Sequence, residues 1–167
     1  GRYNIGSVLL NYGSLTLAGE AVVTSSRIAS DTANGLNGSG IGVIDNRGEK
    51  AVFTLSGGKI TRNALNDDSI VYSGIVRASD GAKVIITGGE ISGNQAVAVS
   101  APNCSSGLLL MGHSSAVMSG GKISGNTGHR GSAVMLFGND DKHRTTFEMH
   151  GGILSNNNCS SKQNVDG

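Results

Sequence analysis

The chain has 167 residues, a formal net charge of +1 and 37% apolar residues, which suits a single domain with its own core. The small charge gives no reason to expect nucleic acid as a partner, and the longest apolar run is far too short to span a membrane. Twenty-seven glycines, one proline and 4% aromatic residues are unusual for an ordinary globular domain and favour a thin, repetitive core.

The first part of the chain contains a degenerate copy of a repeat that becomes clear further on. We assign its motif to residues 15–25, in which two leucines are expected to point inward. Gly19 is aligned with the first glycine of the later copies and Val22 with their next inward position. Ser25 is aligned with the position at which the later copies carry asparagine.

Four clear copies of the repeat follow at steps of 31, 32 and 31 residues. They read FTLSGGKITRN, VIITGGEISGN, AVMSGGKISGN and FEMHGGILSNN, and they occupy residues 53–63, 84–94, 116–126 and 147–157. Apolar residues alternate before the glycine pair, which predicts a half-buried strand, and a second short strand follows the bend that glycine allows. A third strand is predicted upstream in the copies, at residues 40–45, 74–79, 107–112 and 132–137.

A fixed period of this size is typical of a solenoid, in which each repeat stacks only on its neighbours. We predict an all-β fold, a right-handed parallel β-helix of about five coils with three short strands per coil. Helical repeats are disfavoured because glycine is abundant and no repeat has a helical apolar period. We expect residues 1–167 to form one β-helix domain, and we expect that domain to be a fragment of a longer solenoid.

Each clear copy carries an asparagine at the same repeat position; these residues are Asn63, Asn94, Asn126 and Asn157. Asparagine tolerates left-handed turns, and stacked asparagine side chains can hydrogen-bond from one coil to the next. We predict that the four residues form a structural ladder. The alternative is that they are independent turn residues in a chain rich in glycine and asparagine.

Segments of variable length follow the asparagine position, chiefly at residues 26–39, 64–73 and 95–106. Because they leave the same repeat position, we expect them to line one edge of the solenoid, where such insertions often bind partners. The candidate binding residues on this edge are Arg27, Asn34, Asn37, Asp67, Asp68 and Asn103. The alternative is that these loops vary only because nothing constrains them.

The two cysteines, Cys104 and Cys159, occur in the same tetrapeptide, NCSS. About two coils of stacking, roughly 9–10 Å, separate them, so a disulfide requires the longer loop to fold toward the other. A bridge and two separate thiols are both open. No Cys/His spacing indicates zinc, and neither a metal nor a cofactor is expected. The polar cluster at residues 140–143 is interpreted as a solvated loop.

An enzymatic alternative depends on two carboxylates. Asp45 and Asp80 follow corresponding strands and could lie close together, as acid/base pairs do in carbohydrate-active β-helix enzymes such as polysaccharide lyases and hydrolases. The other acidic residues are scattered. A third alternative is a purely structural spacer.

The repeat pattern resembles repeats in bacterial cell-surface and secreted parallel β-helix proteins. It is similar to the GGAI-type repeats of the polymorphic outer-membrane proteins, which are autotransporter adhesins, although this chain has Lys, Glu or Ile where that family has Ala. The resemblance implies a non-enzymatic, adhesin-like binding segment that is extracellular or on the cell surface. Its implied partner is a host surface protein, a matrix protein or a glycan, or further coils of its own parent chain.

Overall fold

The structure is a computed structural model that describes residues 6–28, 40–65, 72–96, 104–128, 130–138 and 144–159. Within these ranges the chain is built from β-strands and turns and contains no helix. It therefore has, in the described residues, no helix that is long and apolar enough to cross a membrane.

The described strands form five coils of four strands each. Coil 1 contains β1 (Leu9–Asn11), β2 (Ser14–Leu17), β3 (Val22–Thr24) and β4 (Arg27–Ile28), and coil 2 contains β5 (Gly42–Arg47), β6 (Val52–Leu55), β7 (Lys59–Thr61) and β8 (Ala64–Leu65). Coil 3 contains β9 (Gly74–Ser79), β10 (Lys83–Ile86), β11 (Glu90–Ser92) and β12 (Gln95–Ala96). Coil 4 contains β13 (Ser105–Met111), β14 (Ser115–Met118), β15 (Lys122–Ser124) and β16 (Thr127–Gly128). Coil 5 contains β17 (Val134–Phe137), β18 (Thr146–Met149), β19 (Ile153–Ser155) and β20 (Asn158–Cys159).

Every coil contributes one strand to each of four parallel sheets. The first sheet has the order β1-β5-β9-β13-β17, and the second, third and fourth sheets stack the corresponding later strands of the coils in the same way. The predicted all-β parallel solenoid is therefore confirmed. The number of strands per coil is four and not three, because a two-residue strand follows each asparagine position. Two residues are too few to produce an alternating pattern that sequence reading can detect.

One predicted register was wrong, because the motif of coil 1 is longer than its later copies. Leu17 stacks on Leu55, but the next strand stacks Val22 on Lys59, so the intervening turn of coil 1 contains one extra residue. Val22 therefore lies on the outer surface, and Val23 is the residue that packs against the core. Glu20 stands where the later copies have a second glycine, and the turn is built differently there.

The same shift moves the asparagine position of coil 1 from Ser25 to Ser26. The backbone N–H of Ser26 donates to Asn63 Oδ1 over 3.0 Å, which places Ser26 beside the first asparagine. The motif of coil 1 thus spans residues 15–26 and not 15–25.

The glycine pair is required by close approach between coils. A Cβ atom on Gly88 would lie 2.5 Å from the carbonyl oxygen of Ser56, and one on Gly89 would lie 2.6 Å from that of Gly57. Gly89 also has a φ of +73°, which side-chain-bearing residues rarely adopt. In coils 2 to 5, the corner between the second and third sheets therefore has no room for side chains at the glycine pair.

The core is a stack of inward side chains from successive coils. Leu55, Ile86 and Met118 occupy one column of the second sheet, and Ile60, Ile91 and Ile123 occupy one column of the third. All six side chains are fully buried. The columns predicted from the alternation around the glycine pair are confirmed for coils 2 to 4.

In coils 2 to 4 the first sheet is buried on both faces. The residues that alternate with its core-facing residues are Asp45, Arg77 and Leu109, and they too are almost completely buried. A half-exposed strand would leave such positions in water. In these coils the outer face of the first sheet is therefore buried and contains the charged side chains of Asp45 and Arg77.

Candidate functional site

A polar cleft of about 170 Å³ lies on the edge between the third and fourth sheets, in coils 1 to 3. Its lining residues are Arg27, Arg62, Asn63, Ala64, Gly93 and Gln95. This set is called the arginine cleft below. It lies at the corner where the segments predicted to form the binding edge begin, and the first residues of those segments include the two-residue strands of the fourth sheet.

The outward column of the fourth sheet forms one wall of the cleft. Arg27, Ala64 and Gln95 stack in that order on neighbouring coils, about 4.8 Å apart. The long side chains of Arg27 and Gln95 are exposed, whereas Ala64 between them has only a methyl group. The short side chain between two long ones leaves a notch in the surface.

Arg62 forms the other wall from an unfavourable backbone conformation. It has a φ of +56°, in the left-handed region, where a side chain costs about 1 kcal/mol relative to glycine. The neighbouring coils place Gly93 and Gly125 at the same turn position with φ of +60° and +62°. Coils 1 and 5 place Ser25 and Asn156 at this position with φ of +58° and +54°, so the left-handed conformation belongs to the turn of every coil and Arg62 adds the largest side chain to it.

The floor of the cleft is fixed by hydrogen bonds of Asn63, which is buried. Its backbone N–H and its Nδ2 both donate to Asn94 Oδ1, over 3.0 and 3.1 Å, and its Nδ2 also donates to the carbonyl of Val23 over 3.0 Å. Asn94 makes the corresponding bonds to Asn126, and Asn126 makes them to Asn157. These four residues are called the asparagine column below.

The charges of the cleft are both positive. Within the part of the chain that the structure describes, neither Arg27 nor Arg62 is in an ion pair, and no carboxylate lines the cleft. A guanidinium group donates in a planar fork that matches the two oxygens of a carboxylate, sulfate or phosphate. The arrangement can therefore hold an anionic group between two exposed guanidinium groups.

The predicted edge residues have different outcomes. Arg27 lies in the cleft, whereas Asn34, Asn37, Asp67, Asp68 and Asn103 lie outside the described residues, as does the polar cluster at residues 140–143. Sequence reading missed Arg62 and Gln95. A signal for Arg62 was present, because the same position of the next two motifs is glycine, and an arginine there departs from the repeat.

A second cleft, of about 360 Å³, lies at the glycine corner of coils 1 and 2, and Gly19, Glu20, Val22, Gly58 and Lys59 line it. Glu20 and Lys59 carry opposite charges, so this cleft has no preference for an ion of one sign. Among the described residues, no group of three His, Cys, Asp or Glu side chains could hold a metal ion.

Asp45, one of the two carboxylates of the enzymatic alternative, is fully buried and ion-paired. Arg77 Nη1 lies 2.9 Å from its Oδ1, Arg47 Nε lies 2.8 Å from its Oδ2, and the hydroxyl of Ser7 also donates to it. The hydrogen bond to Asp45 raises the pKa of Arg47 above its ordinary value, against the opposing effect of burial. These three side chains donate to the carboxylate of Asp45 and hold it in place within the fold.

Asp80 is connected to the same network through other side chains. The hydroxyl of Ser79 donates to Asp80 Oδ2 over 2.9 Å and accepts a hydrogen bond from Arg77 Nη1 over 3.1 Å. Asp45 and Asp80 are thus joined by Arg77 and Ser79 and do not face a shared opening. A carboxylate pair for acid/base catalysis needs such an opening for its substrate.

The two cysteines do not form the disulfide that the sequence left open. Cys104 is buried at the start of β13, and burial raises the pKa of its thiol despite an opposing backbone hydrogen bond from Ser73. Cys159 is exposed at the end of β20, and a hydrogen bond with Ser132, 3.5 Å away, lowers the pKa of its thiol. The two thiols therefore differ in both access and acidity.

Comparisons of the chain with protein-family models, with curated proteins and with solved structures gave no match.

Proposed function

We propose that this protein is a non-enzymatic, adhesin-like binding segment that acts outside the cell or on the cell surface. Its arginine cleft binds an anionic group of a glycan, a carboxylate or a sulfate. The solenoid is the scaffold, and the edge between the third and fourth sheets is the contact surface. The resemblance of the repeats to those of surface β-helix proteins supports the location.

The observation that carries this proposal is the conformation of Arg62. A residue held in an unfavourable backbone region is maintained by its surroundings, and such residues cluster at functional sites. Glycine would relieve the strain and is the residue used in the two following coils, whereas coils 1 and 5 use Ser25 and Asn156. Among the described residues Arg62 has no ion-pair partner, and its exposed side chain lines the cleft opposite Arg27, where it could bind an anion.

The rest of the edge suits an extended ligand. The outward column of the fourth sheet continues from Gln95 to Thr127 and Asn158, which are polar and half-buried or exposed. Hydrogen-bonding side chains repeat along it about every 4.8 Å, close to the spacing of sugar units in a chain. We propose that the asparagine column beneath it acts as a ladder that keeps these positions in register.

The enzymatic and spacer alternatives receive less support. Arg47 and Arg77 donate to the two oxygens of Asp45. The strongest catalytic candidate in the sequence is therefore already held in ion pairs within the fold. A spacer does not need two arginines on one cleft that no carboxylate of the described residues lines.

The test is a binding measurement with sulfated and uronate-containing glycans, made at two salt concentrations and beside an assay for glycan cleavage. Arg62→Gly is the informative variant, because relief of the strain should raise the free energy of unfolding by about 0.5–1 kcal/mol while binding is lost. Arg27→Gln should also weaken binding, at least tenfold. Arg130→Gln is the matched control, because Arg130 is an exposed arginine outside the cleft.

Saturable binding that weakens with salt and with both cleft variants supports the proposal. If Arg62→Gly binds as well as the wild-type protein, the arginine cleft is not the binding site. If no anionic glycan binds, the proposed class of ligand is wrong. Cleavage of a glycan by the wild-type protein overturns the non-enzymatic assignment.

A further inference from the structure

The turn between the third and fourth sheets carries a side chain in coils 2 and 5 and none in the two coils between them. The residues at this turn position are Arg62, Gly93, Gly125 and Asn156, and each has a φ between +54° and +62°. Gly93 and Gly125 are both exposed. The two glycines leave a groove along the solenoid axis, between Arg62 and Asn156, which is called the glycine groove below.

The packing of the coils does not require glycine in this groove. The nearest non-neighbouring atom to a Cβ on Gly93 would be the hydroxyl oxygen of Thr61, 3.8 Å away, and to a Cβ on Gly125 the backbone nitrogen of Gly93, 3.9 Å away. Both are ordinary van der Waals distances, unlike the 2.5 Å found at Gly88 in the glycine pair. The groove is therefore open space that a side chain could fill.

Polar side chains line both sides of the glycine groove. Gln95 and Thr127, from the outward column of the fourth sheet, are on one side. Thr61, Ser92 and Ser124, from the last outward column of the third sheet, are on the other. Hydroxyl and amide groups both donate and accept hydrogen bonds, as the hydroxyl groups of a sugar do. The two walls therefore suit an uncharged ligand that is rich in hydroxyl groups.

The hydroxyl of Ser124 is an independent sign that a ligand occupies the groove. Ser124 is only 6% exposed, and its side chain makes no hydrogen bond with the described residues, although a hydroxyl buried to this degree normally has a partner. It follows the inward-facing Ile123 on its strand and therefore points outward, beside Gly125. No fully enclosed side-chain oxygen or nitrogen of the described residues lacks a partner, so this hydroxyl opens to the outside. A ligand hydroxyl in the groove would supply its missing partner.

Positive charge is confined to one end of this surface. Arg27 and Arg62 lie in the arginine cleft, at the coil 2 end of the groove. Neither wall of the groove itself is charged. The nearest charged residue along the coil 3 strand is Glu90, in the outward column before that of Ser92. Its carboxylate would repel a second anionic group bound above Gly93.

We infer that the ligand of the arginine cleft is a glycan chain that lies along the solenoid axis, with one anionic unit between the two arginines and uncharged sugar units in the glycine groove. This inference rests on the proposed function and adds the direction, length and charge pattern of the ligand. Coils 3 and 4 extend about 9–10 Å beyond the cleft, which is room for about two sugar units. Asn156 occupies the next turn position and closes the groove.

The test is an NMR titration of the full chain, at physiological ionic strength, with a matched set of small glycans. The set contains a monosaccharide with one carboxylate or sulfate, and trisaccharides that carry the same charged unit at either end beside two neutral hexoses. One of these trisaccharides should bind about tenfold tighter than the monosaccharide, or more, and should shift the amide signals of Gly93 and Gly125. A trisaccharide that is charged on all three units should bind less tightly than the singly charged one.

Gly125→Asn is the informative variant, because asparagine already occupies this turn position in coil 5 with a left-handed φ. Its side chain should fill the groove and remove the gain in affinity of the trisaccharide, and the affinity for the monosaccharide should not change. Gly48→Asn is the matched control, because Gly48 has a φ of +89° and open space at its Cβ position, at the corner between the first and second sheets. Equal thermal midpoints would show that both variants fold.

Ser124→Ala is a second variant, which removes no hydrogen bond that the side chain makes with the described residues. It should weaken binding of the trisaccharide several-fold and leave the monosaccharide unaffected. If the monosaccharide binds in a way that requires Arg62 and no trisaccharide binds more tightly, this inference is overturned and the proposed function stands. A gain in affinity that Gly125→Asn leaves intact also overturns it. If none of the glycans binds, the proposed function is wrong and this inference fails with it.

Discussion

Coil 3 and coil 5 carry the same repeat, and their equivalent residues have different environments. Ile91 of coil 3 is fully buried, whereas Leu154, two coils later in the same column, is 40% exposed. Asn94 is buried and Asn157 is half-buried. The difference shows that in a solenoid the repeat pattern decides which way a side chain faces, whereas the neighbouring coils decide how deeply it is buried.

The largest difference between the two coils should appear when their inward residues are truncated. Ile91→Ala removes a fully buried side chain between two coils and should lower the free energy of unfolding by about 3–4 kcal/mol. Leu154→Ala should cost about 1 kcal/mol, since the leucine is already partly in water and leaves no closed cavity. Equilibrium unfolding in urea measures both. Equal losses would mean that coil 5 is covered.

The asparagine column should give a smaller contrast in the same direction. Asn94→Ala leaves the N–H of Asn63 and the carbonyl of Ile60 without partners inside the protein, at a cost of about 3 kcal/mol. Asn157→Ala leaves the equivalent groups of Asn126 and Ile123 closer to solvent, so about 1 kcal/mol is expected. Urea unfolding again supplies the measurement. If Asn94→Ala leaves the free energy of unfolding unchanged, the asparagine column does not stabilise the fold.

The two thiols should give the smallest effects. Burial raises the pKa of Cys104, so its contribution to stability is complete below the ordinary thiol pKa and is lost as the pH rises through the raised value. As the pH rises above the ordinary thiol pKa, the wild-type protein should lose stability relative to Cys104→Ala. The pKa of Cys159 is lowered, so this thiol should alkylate first in the folded protein, and Ser132→Ala should slow the reaction. Faster labelling of Cys104 would contradict both assignments.

The sequence was sufficient for the parts of the fold that repeat. The glycine pair recurs at a nearly constant step, and each copy keeps apolar residues at the same distances from it, so three strands per coil, their inward columns and their parallel stacking could be predicted. The fourth strand also repeats in every coil, but its two residues were too short to be detected. The register failed only in coil 1, where Glu20 replaces the second glycine and one extra residue enters the turn.

The parts that do not repeat could not be predicted. The outer face of the first sheet is buried around Asp45 and Arg77, and no periodicity within one strand can report what covers its second face. For the candidate site, Arg27 was predicted from its place after the repeat motif. Arg62 was missed because it lies within the motif, at a position read as part of a turn, and only the left-handed backbone reveals its cost.

The most direct measurement is amide hydrogen exchange of the whole chain. The amides of β17–β20 should exchange about 100-fold or more faster than those of β9–β12, because a coil with partly exposed inward side chains opens locally while a fully buried interior coil does not. Equal protection of coils 3 and 5 would contradict the difference in burial on which the comparison depends.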